Sequence, residues 1–267
     1  TEARPQAARE QRHCDASEIP PAWNQLTLGA DFIFGRLGPI GDFYDTGDTP
    51  DGLVYRLGAA HVRWLRDCVE RYRRGYPAHD TSRTVRTRGH YLWKFNSTWP
   101  MIYSDLVDYL MEPNMSYYAL RRAYAPVLIS MEIADHINLW VVNDAGQSVT
   151  GRLEARLYNP DGTQVLYQQC HDVSVAPGRS EMIGNLDEAG MFSRACVLFA
   201  ELTDANGRQI ARTNDLAGIE RTIAFPDARI QLEPHADGNG VIVTTDVFAR
   251  CVELQGKAPG GDAFGWL

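Results

Sequence analysis

The chain has 267 residues, of which 44% are hydrophobic and 22% are charged, and its formal net charge is −8. This composition is typical of a soluble globular protein with one or two domains, and the acidic balance argues against general nucleic-acid binding. No apolar run approaches the length of a membrane span, so neither nucleic acid nor a membrane is an expected partner.

Cysteine and histidine patterns give no sign of a metal or a cofactor. The five cysteines have no CxxC spacing, and the seven histidines form no HxxxH pair. We therefore expect buried thiols rather than a disulfide framework, and no metal site and no cofactor.

The first half of the chain has the pattern of an α/β unit. Residues 1–24 are polar and irregular. Leu53–Arg74 repeats apolar residues at three- and four-residue steps, which predicts an amphipathic helix with Trp64 and Leu65 on its buried face. Pro113 is expected in the first turn of a later helix, which Pro126 ends.

Between these helices lies the stretch that is most informative about function. Tyr91, Leu92, Trp93 and Phe95 form a short apolar run that predicts a buried strand, and Asn96-Ser97-Thr98 ends it before Trp99-Pro100. Indole rings offer flat apolar faces for sugars, and an amide can bond a hydroxyl. The alternative interpretation is that both tryptophans are core aromatics, as most tryptophans are.

From residue 127 the pattern changes to alternating strands separated by turns. Turns are predicted at Asn143–Gly146 and Asn159–Gly162, and further strands at 164–169, 172–175, 195–202 and 209–213. Short strands at this spacing predict an immunoglobulin-like sandwich up to about residue 218. Strands at 228–232, 241–245 and 249–254 then predict the start of a second, incomplete sandwich.

The run from Trp93 to Pro100, followed by Val107-Asp108-Tyr109 and by Tyr117 to Val127, resembles glycoside hydrolase family 2. The β-mannosidase and exo-β-glucosaminidase branch is the most similar. The resemblance implies that residues 1–125 are the C-terminal part of a (β/α)8 barrel, 126–218 an immunoglobulin-like β-sandwich and 219–267 the start of a second, truncated β-sandwich. The fold class expected is thus mixed, a partial α/β barrel followed by all-β domains, and the chain is expected to be a C-terminal piece.

The same resemblance implies site roles. Trp93 would form a stacking platform, Asn96 would bond a sugar hydroxyl, and Trp99 would wall the terminal-sugar or leaving-group subsite. The expected partner is an oligosaccharide or glycoside, and the expected parent is a retaining exo-β-glycosidase.

Retaining glycosidases use two carboxylates. The acid/base of family 2 lies in an Asn-Glu pair, and no Asn-Glu pair occurs in this sequence. Glu18, in a Ser-Glu pair, is the candidate nucleophile, although an exposed loop glutamate is the alternative. Asp108 is expected to be a structural hydrogen-bond partner or helix-entry residue rather than an acid catalyst, and the chain alone is expected to be inactive.

A hypothesis from another class is a non-catalytic carbohydrate-binding or scaffold sandwich. A sugar-binding sheet would present aromatic residues on one face, and Trp140, Tyr158 and Tyr167 do not obviously share one.

Overall fold

The computed structural model describes residues 50–75, 90–98, 105–133, 136–186, 195–218, 223–252, 254, 256–257 and 263–264. The described residues form two compact units. One contains the residues up to Ala125 and those from 254 onward, and the other is Pro126–Val252. The domain boundaries expected from the sequence stay predictions.

Two helices organise the described part of the first unit. Helix α1 is Pro50–Arg73, and helix α2 is Met115–Ala123. Leu65 and Val69 of α1 pack against Leu120 and Ala123 of α2 in one buried cluster. The periodic pattern thus predicted α1 correctly, with one correction: Trp64 is 55% exposed and does not belong to the buried face.

Helix α2 begins later than the sequence suggested. Asn114 is its N-cap, and the Asn114 Oδ1 atom accepts hydrogen bonds from the backbone N–H groups of Ser116 and Tyr117 at 2.9 and 3.3 Å. Pro113 therefore lies before the helix and not in its first turn. The cap decides the start because the side chain satisfies N–H groups that have no partner inside the helix.

The aromatic run before α2 is not the buried strand that the sequence predicted. Tyr91, Trp93 and Phe95 are 97%, 84% and 54% exposed, and the described segment 90–98 makes one isolated parallel bridge, from Asn96 to Val107. Leu92 alone of the apolar residues in this run packs against the helix cluster. A run of four apolar residues is too short to show whether chain neighbours cover both of its faces, and here the described chain does not cover them.

Seven strands of the second unit form two antiparallel sheets. The smaller sheet has the order β1-β2-β5 and the larger one β4-β3-β6-β7. The strands are β1 Val127–Ile133, β2 Ile137–Asn143, β3 Val149–Tyr158, β4 Val165–Val175, β5 Arg179–Asn185, β6 Cys196–Thr203 and β7 Gln209–Ala217. This is the immunoglobulin-like sandwich expected from the sequence.

Alternating side chains from the two sheets build the sandwich core. Residues such as Ile129 and Leu139 from one sheet and Leu153 and Leu198 from the other are fully buried in a single cluster. Leu157 and Leu202 extend it. Period-two alternation in the sequence therefore identified the inward faces, because successive side chains of a strand point to opposite sides.

Two turns hold the sandwich in register as the sequence predicted. Asn143 ends β2; its Nδ2 donates to the carbonyl oxygens of Gln147 and Val175, both at 2.9 Å, and its Oδ1 accepts from the N–H of Ala145. Gly162 has φ of 75° in the turn after β3, which favours glycine.

Other strand predictions need correction. The strands expected at 164–169 and 172–175 are the single strand β4, because no turn residue interrupts them. Strand β5 was not predicted, since its sequence has few apolar residues. No strand forms in the described part of 249–254, where Cys251 has φ of 52°, outside the extended region.

Short strand pairs complete the described fold. Strands β8, Ile230–Pro234, and β9, Val241–Thr245, form an antiparallel hairpin. Strands β10, Gly256–Lys257, and β11, Ala263–Phe264, form another pair. The hairpin β8–β9 lies within the second unit and exposes Ile230 and Leu232.

The expectation of buried thiols is only partly met. The described cysteines, Cys68, Cys170, Cys196 and Cys251, form no disulfide bond. Cys196 is buried, and its burial raises the pKa of the thiol to about 11, whereas Cys170 is exposed because it lies on the outer face of β4.

Replacing Gly151 with alanine tests the close approach of β3 and β6. A Cβ at Gly151 would overlap the backbone carbonyl oxygen of Thr203, whereas one at Gly146 would meet nothing within 4 Å. We expect Gly151→Ala to lower the free energy of unfolding by about 1–3 kcal/mol. Gly146→Ala should change it by less than about 0.5 kcal/mol. Equal denaturant midpoints for the two variants would contradict the described strand spacing.

Burial of His61 predicts a pH dependence of stability. Desolvation lowers the pKa of His61 to about 4, its Nδ1 contacts Ser116 Oγ at 2.9 Å, and its buried Nε2 has no hydrogen-bond partner. In the unfolded chain the ring of His61 is protonated below about pH 6.5, so the contribution of the neutral, buried ring to stability is fully present above that pH. It is lost as the pH falls towards 4, by up to about 3 kcal/mol.

Chemical denaturation from pH 7 to pH 4 measures this loss. His61→Gln should flatten the profile relative to the wild type. Ser116→Ala, which removes the hydroxyl and leaves the imidazole, should lower stability at every pH and keep the slope. A His61→Gln profile parallel to the wild-type profile would refute the prediction.

Candidate functional site

The expected sugar-binding residues fall partly within the described chain. Trp93 and Asn96 are both exposed and lie on the segment 90–98. Trp99 and the candidate nucleophile Glu18 lie outside the described residues. The structure therefore describes one indole and one amide, three positions apart, on the same surface segment, and their roles stay predictions.

A short backbone ladder holds this segment. The N–H groups of Leu106 and Val107 both donate to the carbonyl oxygen of Phe95 at 3.0 Å, and the N–H of Ser97 donates to the carbonyl oxygen of Val107 at 3.1 Å. Leu106 and Val107 are each 5% exposed and belong to the cluster of α1 and α2. The exposed candidate residues are thus attached by backbone hydrogen bonds to a buried support.

Charged side chains add a second attachment. Lys94 Nζ lies 3.4 Å from Asp105 Oδ1, and Asp105 is buried. Burial raises the pKa of Asp105, and the ammonium group of Lys94 opposes that rise. The peptide bond between Trp93 and Lys94 is cis.

Asp108 has the structural role that the sequence predicted. Its Oδ1 atom accepts hydrogen bonds from the backbone N–H groups of Leu110 and Glu112, both at 2.9 Å. These bonds hold the turn in which Met111 has φ of 64°. A carboxylate used in this way organises the chain in front of α2, which confirms the interpretation of Asp108 as a hydrogen-bond partner.

Sequence analysis missed several features of the site. Tyr91 and Phe95 are exposed beside Trp93, so the surface has three large aromatic side chains in five residues. The Lys94–Asp105 pair was also missed. The available signal was a lysine inside an apolar run, because a buried ammonium group needs a charged or hydrogen-bonding partner.

The exposed side chains are of types that can contact a sugar. An exposed indole can stack on an apolar sugar face, and the neighbouring amide can donate and accept hydrogen bonds. Within the described ranges, no group of three or more His, Cys, Asp or Glu side chains could hold a metal ion. None of the described helices is long and apolar enough to cross a membrane.

Comparisons of sequence support the sugar-related interpretation. Residues 135–217 match the family described as Mannosidase Ig/CBM-like domain. An exo-beta-D-glucosaminidase of Amycolatopsis orientalis is 26% identical over 212 residues, covering 75% of this chain and 20% of the relative. A beta-mannosidase B of Aspergillus fumigatus is 26% identical over 188 residues, covering 62% and 22%. The chain thus spans about a fifth of the length of the curated relatives it matches.

Comparisons of structure agree on the fold. The crystal structure of the Amycolatopsis orientalis exo-chitosanase matches with a TM-score of 0.60 at 21% identity, over 82% of this chain and 24% of that one. A beta-D-mannosidase from Dictyoglomus thermophilum matches with a TM-score of 0.62 at 18% identity, over 73% and 23%.

The resemblance found in the sequence is thereby confirmed: residues 135–217 match the mannosidase Ig/CBM-like domain, and the homologues of this chain are exo-β-glucosaminidases and β-mannosidases of glycoside hydrolase family 2.

Proposed function

We propose that this chain is part of a retaining exo-β-glycosidase that removes terminal β-linked sugars, with a β-mannosidase-like or exo-β-glucosaminidase-like specificity. Residues 1–125 contribute the last part of a (β/α)8 barrel and the wall of its sugar site. Residues 126–218 form an accessory sandwich, and residues 219–267 begin a second one.

The observation that carries the proposal is the exposure of Trp93. Burying a tryptophan is strongly favourable, so an indole that is 84% exposed on a firmly supported segment marks an interaction surface. Asn96, also exposed, supplies the polar partner that fixes the orientation of a sugar. On this proposal Trp93 stacks on the terminal sugar, Asn96 bonds a hydroxyl, and Trp99 walls the adjoining subsite.

Catalysis requires two carboxylates about 5–5.5 Å apart. Glu18 is the candidate nucleophile of the proposal. The acid/base glutamate of the family pattern is absent, since the sequence has no Asn-Glu pair. The isolated chain should therefore bind a glycoside without hydrolysing it.

A second proposal, that the sandwich is a carbohydrate-binding module, has the description of the matched domain family in its favour. The aromatic residues support it less. Trp140 is 8% exposed and donates its Nε1–H to Glu132, Tyr167 packs on the inner core, and Tyr158 packs in a separate cluster with Phe225 and Phe248. These three aromatics do not form a shared exposed row.

Replacing Trp93 with alanine tests the first proposal. Calorimetric titration of the full chain with an aryl β-mannoside and an aryl β-glucosaminide should show roughly two- to tenfold weaker binding for Trp93→Ala, because one aromatic contact contributes about 0.5–1.5 kcal/mol. Stability should change by less than about 1 kcal/mol, since the side chain is exposed.

Trp64→Ala is the matched control, because Trp64 is also exposed and lies on α1. It should leave the affinity unchanged. If Trp93→Ala binds with the affinity of the wild type, the first proposal fails and the sandwich becomes the candidate sugar site. If the wild-type chain binds neither glycoside, both proposals are rejected.

A further inference from the structure

The ion pair between Lys94 and Asp105 is the part of this region to which the proposed function gives no role. Asp105 is 4% exposed, and the Lys94 side chain is 28% exposed. A carboxylate removed from water to this extent is unfavourable unless a cation compensates it. The pair is therefore unlike an ordinary surface ion pair, in which both groups stay hydrated.

Asp105 has a fixed position because its backbone is attached to α2. The side-chain amide of Asn114 donates to the carbonyl oxygen of Asp105, and the N–H of Asn114 donates to the carbonyl oxygen of Leu106 at 2.9 Å. Asn114 is also the N-cap of α2. The backbone of Asp105 is thus bonded to the N-cap of α2, and the next residue, Leu106, packs in the cluster of the two helices.

Lys94 lies between the two candidate sugar-binding residues. It follows Trp93 directly, and Asn96 is two residues further on. The backbone ladder to residues 105–107 begins at Phe95, so it does not reach Trp93. Because the Trp93 side chain is largely exposed, its own packing cannot define its position.

We infer that the Lys94–Asp105 ion pair is a positioning device, which fixes the chain on both sides of Lys94 so that the Trp93 indole and the Asn96 amide keep one arrangement. Neither Lys94 nor Asp105 needs to contact the sugar. The inference rests on the proposed function, because it takes Trp93 and Asn96 to be the residues that contact the sugar.

Single variants and one control separate positioning from general stability. Asp105→Asn and Lys94→Met remove the pair, Lys94→Arg keeps the charge, and Asp204→Asn removes an exposed ion pair with Arg208 in a turn of the sandwich. We expect Asp105→Asn and Lys94→Met each to weaken binding of the aryl β-glycoside about tenfold. Lys94→Arg should stay within about threefold of the wild type, and Asp204→Asn should not change binding.

Nuclear magnetic resonance on the full chain supplies a local readout. In Asp105→Asn and in Lys94→Met, the indole N–H resonance of Trp93 should shift and the amide of Ser97 should exchange faster. The indole resonance of Trp140, which is bonded to Glu132 in the sandwich, should not move. Combining the two substitutions should weaken binding by less than the sum of the two single effects, because the two side chains contact each other.

Two results would overturn the inference. One is a Trp93 resonance and a Ser97 exchange rate in Lys94→Met equal to those of the wild type. The other is a loss of affinity in Lys94→Arg as large as that in Lys94→Met. If Asp105→Asn fails to fold, the two Lys94 variants give the same decision. If the wild-type chain binds neither glycoside, the proposed function fails, while the resonance and the exchange rate still decide whether the pair positions Trp93.

Discussion

The burial of Leu106 and Val107 against the helix pair is the constraint on which the first unit depends. Their side chains belong to the cluster of Leu65, Val69 and Leu120, while their backbone N–H groups bond the exposed segment. One dipeptide therefore joins a hydrophobic core to a surface carrying large aromatic residues. Such a surface can remain ordered although its own side chains are little buried, because its backbone is hydrogen-bonded to residues of a buried cluster.

The second unit is stabilised in a different way. Its core consists of inward-facing aliphatic side chains from two sheets, and Asn143 satisfies several backbone groups where β2 ends. A buried amide with both ends bonded fixes the turn at little energetic cost. The unit therefore has a core of its own, which suits the accessory role proposed for it.

The sequence predicted those features that depend on local periodicity. Alternation at Ile129, Met131 and Leu139 identified strands and their inward faces, and the Asn-Pro-Asp-Gly turn after β3 followed from the turn preferences of its residues. Strand β5 was missed because its sequence has few apolar residues and none of its residues is buried, whereas its place in the sheet comes from backbone pairing with β2. Trp64 was misassigned because a helical stripe gives a direction but not the width of the surface that is covered.

The candidate site was predictable only in its residue types. Trp93 and Asn96 were chosen for their chemistry, yet the ion pair beside them joins residues 94 and 105, which no periodic pattern relates. Contacts between chain segments of this kind depend on the path of the backbone, and the sequence alone did not specify that path. The same limitation explains why the run from Tyr91 to Phe95 was expected to be buried.

The proposed function assigns a sugar contact to only one of the three exposed aromatic residues of this segment. Tyr91 and Phe95 have no assigned contact, and aromatic side chains can each bury about 150–250 Å². Asn96 lies close in sequence to Trp93 and Phe95, whereas Tyr91 is five residues away and almost fully exposed. On the proposed function, the sugar therefore takes Trp93 with its polar neighbour, and the remaining aromatic surface is suited to packing against other parts of a barrel. Lys94 lies between Trp93, which is assigned to the sugar, and Phe95, which is assigned to packing. A fixed backbone at Lys94, held by its ion pair with Asp105, would therefore serve both contacts.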